Sequence, residues 1–188
     1  EWDMGRRQAF REGVVLFSRD RSLVPILRRA VSLGRTEQGR LVRETLLKLG
    51  WLGYGPSNWL GRRKKGYLWS LPPDLWDQRG SIACAHITID QALDGALQLL
   101  FLLNGEIPPD PKWRRFLAEG VDWKPKPLSK LIAAIESSPR TLAGLPVRRE
   151  ALLDLVGHLA HHAECQGSLG GDIYKRYLHE SADYDPGA

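Results

Sequence analysis

The sequence predicts an all-α helical bundle that carries one short orphan β-strand near its N-terminus, left over from a preceding sheet. Three observations carry that expectation. Apolar residues recur at three- and four-residue spacing through most of the chain, above all in Ile82, Ala85, Ile89, Ala92, Ala96, Leu99, Leu100 and Leu103. Gly and Pro punctuate between these stretches, as at Asn104-Gly105, Pro108-Pro109 and Pro125. A single β-like run, Val14-Val15-Leu16-Phe17, has no later run to pair with.

Taken in order, that run is bounded by Ser18-Arg19-Asp20 and reads as the edge of a sheet absent from this chain. Residues 1–21 are therefore expected to belong to an upstream unit, with 22–188 as the bundle. The start at Glu1 rather than Met fits the same expectation of a piece of something longer. Ser22 can cap a first helix that places Pro25 in its first turn and Leu23, Ile26, Leu27 and Ala30 inward. A longer helix is expected from about Thr36 through Leu49, with breaks at Gly50, Gly53 and Gly55-Pro56. The central helix is expected from about Leu75 to Leu103, buried on most sides because Ile87, Leu93 and Phe101 widen its apolar surface. Shorter helices follow at Lys112–Glu119 and Leu128–Ser137, then a long one from Pro146 or Val147 through Cys165. A last amphipathic segment is expected at Ile173–Ser181.

Composition bounds the function classes. With 188 residues, 43% hydrophobic and 26% charged, the chain can bury a core without metal or disulfide staples. Two cysteines, Cys84 and Cys165, are too few for a secreted disulfide scaffold and predict a cytoplasmic setting. The longest apolar stretch, Ala96–Leu103, is interrupted by Gln98 and is too short to span a membrane. A net charge of +5 suits phosphate-bearing partners without specifying one.

Several constellations could carry chemistry. Arg62, Arg63, Lys64 and Lys65 form a basic run flanked by Trp59, Tyr67 and Trp69, a pattern that could grip phosphates and stack bases; most such runs are solvated loops. His158, His162 and Cys165 share one helix face and are the candidate metal ligands, although structural zinc sites usually start from turn-borne Cys pairs that this chain lacks. Asp90 and Asp94 lie one turn apart on the central helix and point the same way. A buried helix tolerates them only if they are solvated or paired, so they either line a cleft or meet neighbouring arginines. Arg79 and His86, with six residues between them, match the Arg-x(4–6)-His pattern of HEPN-type ribonucleases, where His moves a proton at the 2′-hydroxyl and Arg meets the phosphorane charge. So short a pattern also arises by chance, and Gly80 stands where those enzymes favour a polar residue.

The segment Leu99-Leu100-Phe101-Leu102-Leu103-Asn104-Gly105-Glu106-Ile107-Pro108-Pro109-Asp110-Pro111-Lys112-Trp113 resembles the "LFxLN…P…KW" stretch in the C-terminal helical half of nucleotidyltransferase-fold proteins, the group related to kanamycin and other aminoglycoside nucleotidyltransferases. Arg11–Asp20 is similar to the strand that closes their catalytic sheet, Arg79 to the start of their first bundle helix, and the block Leu159–Leu178 to their final helices. The resemblance implies a helical wall against which an acceptor lies, with Arg79 and Lys112 as carried-over acceptor-binding residues and Asn104 and Trp113 fixing the turn after the central helix. Asp90 and Asp94 join that wall on helical spacing alone. Family members bind magnesium and a nucleoside triphosphate through a Gly-Ser turn and an Asp-x-Asp strand. Here Asp183-Tyr184-Asp185 is separated by fourteen residues from Gly167-Ser168, next to Pro186, and reads as a decoy. The expectation is therefore an acceptor-binding half with no cofactor of its own, inactive alone, working with an upstream or separate nucleotidyltransferase domain that holds magnesium and the nucleotide. The alternatives are a HEPN-like ribonuclease using Arg79 and His86, or a non-catalytic partner-binding module. A homodimer is compatible with any of them, and no membrane association is expected.

Overall fold

A computed structural model of the chain describes residues 7, 23–25, 32–55, 76, 79–119 and 128–165. Five helices carry the architecture: α1 (Arg35–Trp51), α2 (Ile82–Leu103), α3 (Pro111–Glu119), α4 (Leu128–Ser137) and α5 (Leu145–Cys165). Leu23–Pro25 are also helical, and no strand occurs among the described residues. The fold is all-α. Among the described residues no helix is long and apolar enough to cross a membrane. The expected strand at Val14–Phe17, the basic run at Arg62–Lys65 and the segment after Cys165 lie outside the described residues.

The central helix α2 packs against α1, α3 and α5, and α4 packs on α5. Its buried residues run almost without interruption from Leu99 to Leu103, because neighbours cover it on several sides there. Val42, Leu46 and Leu49 of α1 and Leu152, Val156 and Leu159 of α5 complete the core. Gly95 lets α1 come close: a Cβ there would stand 3.1 Å from Leu49 Cδ2.

The helix ends follow from local chemistry. Both α1 and α2 finish in the same motif. Gly53 and Gly105 adopt positive φ (81° and 73°). Tyr54 N–H then donates to Leu49 O, and Gly53 N–H donates to Gly50 O. Glu106 N–H and Gly105 N–H repeat the pattern on Phe101 O and Leu102 O. These are Schellman caps, which need a left-handed residue just past the helix and so favour glycine. Asn104 adds a side-chain bond to Leu100 O at 2.9 Å, so it does sit in the turn after the central helix. Asp110 starts α3: its carboxylate accepts from Lys112 N–H at 3.2 Å, and Pro111 takes the first helical position where an N–H is not needed.

The helix boundaries differ from the sequence expectation by one or two residues at α1, which runs through Gly50 to Trp51, and at the starts of α3 and α5, and by more at one place. The central helix begins at Ile82 rather than near Leu75, because Gly80 takes φ +76° and turns the chain just before it.

Candidate functional site: a groove on the central helix

The face of α2 that carries Ile87, Asp90, Gln91 and Asp94 is left open beside the end of α1. Together with Lys48 and Leu52 these side chains line an open surface groove of about 510 Å³. The two aspartates share this face because they are four residues apart. Each is held from behind by a buried arginine.

Asp94 Oδ2 accepts from Arg114 Nη1 at 2.7 Å. Arg114 is itself anchored, with Nε and Nη2 donating to Pro109 O at 3.2 and 3.0 Å. Asp94 Oδ1 has no partner among the described residues, and neither do the Lys48 ammonium and the Gln91 amide. The groove thus presents one carboxylate oxygen, one amide and one ammonium, against the apolar sides of Ile87 and Leu52.

Asp90 is held by Arg148 of α5, whose Nη2 donates to Oδ1 at 2.6 Å. Arg148 is only 2% exposed, yet every direction of its guanidinium is used. Nη1 contacts His86 Nδ1 at 2.7 Å and Nε donates to Ile135 O at 2.8 Å. The Ile135 bond has a covalent cause. The helical donor for that carbonyl would be the N–H of residue 139, which is Pro139 and has none. Arg148 has no lone pair, so His86 Nδ1 is the acceptor and the ring proton lies on Nε2. That Nε2 donates to Thr141 O at 3.1 Å. Two further guanidiniums approach Asp90: Arg140 Nη2 stands 3.0 Å from Oδ2 and Arg115 Nη2 3.8 Å from Oδ1.

The turn between α4 and α5 is fixed by Gly144. A Cβ there would stand far inside van der Waals contact with Pro139 O, so only glycine lets the chain fold back this tightly. The same turn brings Thr141 O to His86 and carries Arg140 to Asp90.

The structure therefore brings Asp90 and Asp94 together, as their spacing requires, and adds His86 behind Asp90. Arg79 lies apart: its guanidinium sits over the Trp76 ring, 5.3 Å from the centroid, before α2 begins. Lys112 is exposed on α3, 6.0 Å from the centre of its neighbour Trp113. Neither joins the groove. Trp113, expected to help fix the turn after the central helix, lies exposed on α3. His158 is exposed and His162 half-buried on α5, the Cys165 side chain is outside the described residues, and no group of three His, Cys, Asp or Glu is placed to hold a metal among the described residues.

Sequence reasoning missed Arg148, Arg114, Lys48 and Gln91. For Arg148 a signal was present: it falls on the stripe Leu145, Leu152, Leu155 and Leu159, where a charge needs partners. No family model, curated protein or solved structure matches the chain.

Proposed function

We propose that this chain is the acceptor-binding helical part of a nucleotidyltransferase-like protein acting in the cytoplasm. Magnesium and the nucleoside triphosphate would be held by the Gly-Ser/Asp-x-Asp unit of an upstream or separate nucleotidyltransferase domain, not by these 188 residues. The observation that carries the reading is the groove on α2, where Asp94 Oδ1, Gln91 and Lys48 stand unpartnered among the described residues along an apolar floor. Polar groups that converge on an apolar surface orient a small ligand, and of these Asp94 is held in place by Arg114. Asp94 Oδ1 would accept a hydrogen bond from an acceptor hydroxyl or ammonium, and Gln91 can donate or accept beside it. Arg114 and Arg148 keep the carboxylates in place, so the groove is formed before a ligand arrives.

The ribonuclease alternative asks His86 to exchange a proton with a 2′-hydroxyl. Both of its ring nitrogens are engaged, by Arg148 and Thr141, and Arg79 stacks on Trp76. The acceptor reading asks nothing of His86.

Backbone-amide NMR of the chain, titrated separately with kanamycin, a short single-stranded RNA and an unstructured peptide, tests the reading. Saturable shifts confined to residues around Lys48, Gln91 and Asp94, and lost in Gln91→Ala, are expected for one of the three. No shift in the groove with any of them at millimolar concentration refutes it.

A further inference from the structure

Asp90 gathers guanidiniums from three elements, and they are not equivalent. Arg148 commits all three of its nitrogens to hydrogen bonds with Asp90, His86 and Ile135. Arg140, in the α4–α5 turn, and Arg115, on α3, form ion pairs with carboxylates from the exposed side. Arg140 is 3.0 Å from Asp90, and Arg115 is 3.8 Å from Asp90 and 3.4 Å from Glu136. Unlike Arg148, both are well exposed, with side chains 62% and 43% accessible. Arg140 meets its carboxylate through Nη2 alone and Arg115 through Nη2 and Nε, so each keeps further N–H donors beyond those contacts. Three guanidiniums face two carboxylates, Asp90 and Glu136, so the cluster carries one positive charge in excess.

We propose that Arg115 and Arg140 form a binding site for the phosphate group of a small phosphate ester, at the edge of the groove. A tetrahedral dianion has enough oxygens to take a fork from each arginine at once, and guanidinium matches phosphate geometry better than ammonium does. Asp90 takes Arg148 on Oδ1 and Arg140 on Oδ2, with Arg115 3.8 Å from Oδ1, so it acts as the post on which both exposed arginines converge. Their backbones are fixed independently of any ligand. The Gly144 close approach sets the turn bearing Arg140, and the bonds from Arg114 to Pro109 and Asp94 set the helix bearing Arg115. The site does not rest on the acceptor reading, since a phosphate can dock here whether or not an acceptor occupies the groove.

The test follows the arginine Nε–H resonances of the full chain by NMR at constant ionic strength. Inorganic phosphate is expected to shift Arg115 and Arg140 saturably, with chloride at equal ionic strength leaving them in place. Arg115→Gln and Arg140→Gln should each weaken binding about tenfold, the equivalent of one charge-assisted hydrogen bond, and the double variant should abolish it. Adenosine monophosphate should compete with phosphate while adenosine does not. Equal shifts with chloride, or unchanged phosphate affinity in the double variant, overturn the site. Binding of inorganic phosphate without binding of the monophosphate overturns the assignment to a phosphate ester. Shifts at Gln91 and Asp94 without shifts at Arg115 and Arg140 leave the acceptor reading standing and refute this one.

Discussion

Replacing Arg148 with methionine removes the charge at the centre of the bundle while keeping an unbranched side chain of similar reach. Three acceptors lose their donor. Ile135 O has no alternative, because Pro139 cannot supply the helical N–H, and His86 Nδ1 is buried with its ring. Asp90 fares better, since Arg140 remains 3.0 Å from Oδ2 and the carboxylate is partly exposed. Two buried acceptors left unpaired cost about 1–3 kcal/mol each. Loosening the Asp90 pair brings the total to the roughly 3–5 kcal/mol typical of breaking a buried ion pair from one side. That is a large share of a stability of about 5–15 kcal/mol. Urea denaturation followed by circular dichroism reads it as a lower midpoint at unchanged slope. Arg148→Lys should recover little, because one ammonium cannot reach Asp90, His86 and Ile135 together. The pair Arg148→Met with His86→Leu should cost less than the sum of the two, since it removes a donor and its acceptor at once. A loss below about 1 kcal/mol for Arg148→Met would refute the reasoning, because it would mean that the three acceptors find water or other donors.

Gly144→Ala should destabilise by about 3 kcal/mol, the upper end for overpacking, because the clash is with the Pro139 backbone rather than a movable side chain; thermal melting measures it. Gly95→Ala should stay within about 1 kcal/mol of the parent in urea denaturation, since the helix preference of alanine offsets the few tenths of an ångström that Leu49 must yield. Gly95→Leu, in contrast, should part α1 from α2 and unfold at markedly lower urea. Asp94→Asn should cost about 2 kcal/mol in the same assay, because Arg114 is buried and loses its charged acceptor.

How far the sequence reveals this molecule depends on the kind of information each feature needs. Helix α4 is legible to the residue, Leu128–Ser137, since Pro127 precedes it and its apolar spacing is regular. The end of α2 is equally legible, because Asn104-Gly105 can only be a helix stop there. Its start has a signal too: Asp77–Ser81 interrupts the apolar period between Leu75 and Ile82, Gly80-Ser81 is a turn and capping pair, and the backbone breaks there with Gly80 at positive φ. For the groove, spacing places Asp90 and Asp94 on one face but cannot say what stands behind them. Their partners Arg148 and Arg114 lie 58 and 20 residues away, so the pairing is a property of packing and not of any local pattern. Arg148 is the partial exception, since a charge on an apolar stripe announces that it has a partner without naming it. Gly144 gives no sequence signal at all. Its φ is unremarkable, and what excludes a side chain is a backbone oxygen five residues earlier that only the folded turn brings near.

The same pairing decides how the groove can be tested. Asp90 and Asp94 are the most conspicuous groups in it, yet each anchors a buried arginine, so substituting either perturbs the fold and the binding surface together. A loss of binding in Asp94→Asn would be uninformative by itself. Lys48 and Gln91 are different: both are exposed, and neither has a partner among the described residues, so removing them should change stability by no more than about 0.5 kcal/mol. Lys48→Ala and Gln91→Ala therefore separate the two roles. If either weakens a ligand that shifts the groove resonances while the urea midpoint holds, the groove is a recognition surface. If both bind as the parent does, the carboxylates of α2 serve the bundle, tying α2 to α3 and α5 through their arginines, and the open face between α1 and α2 is only the space left where those helices diverge.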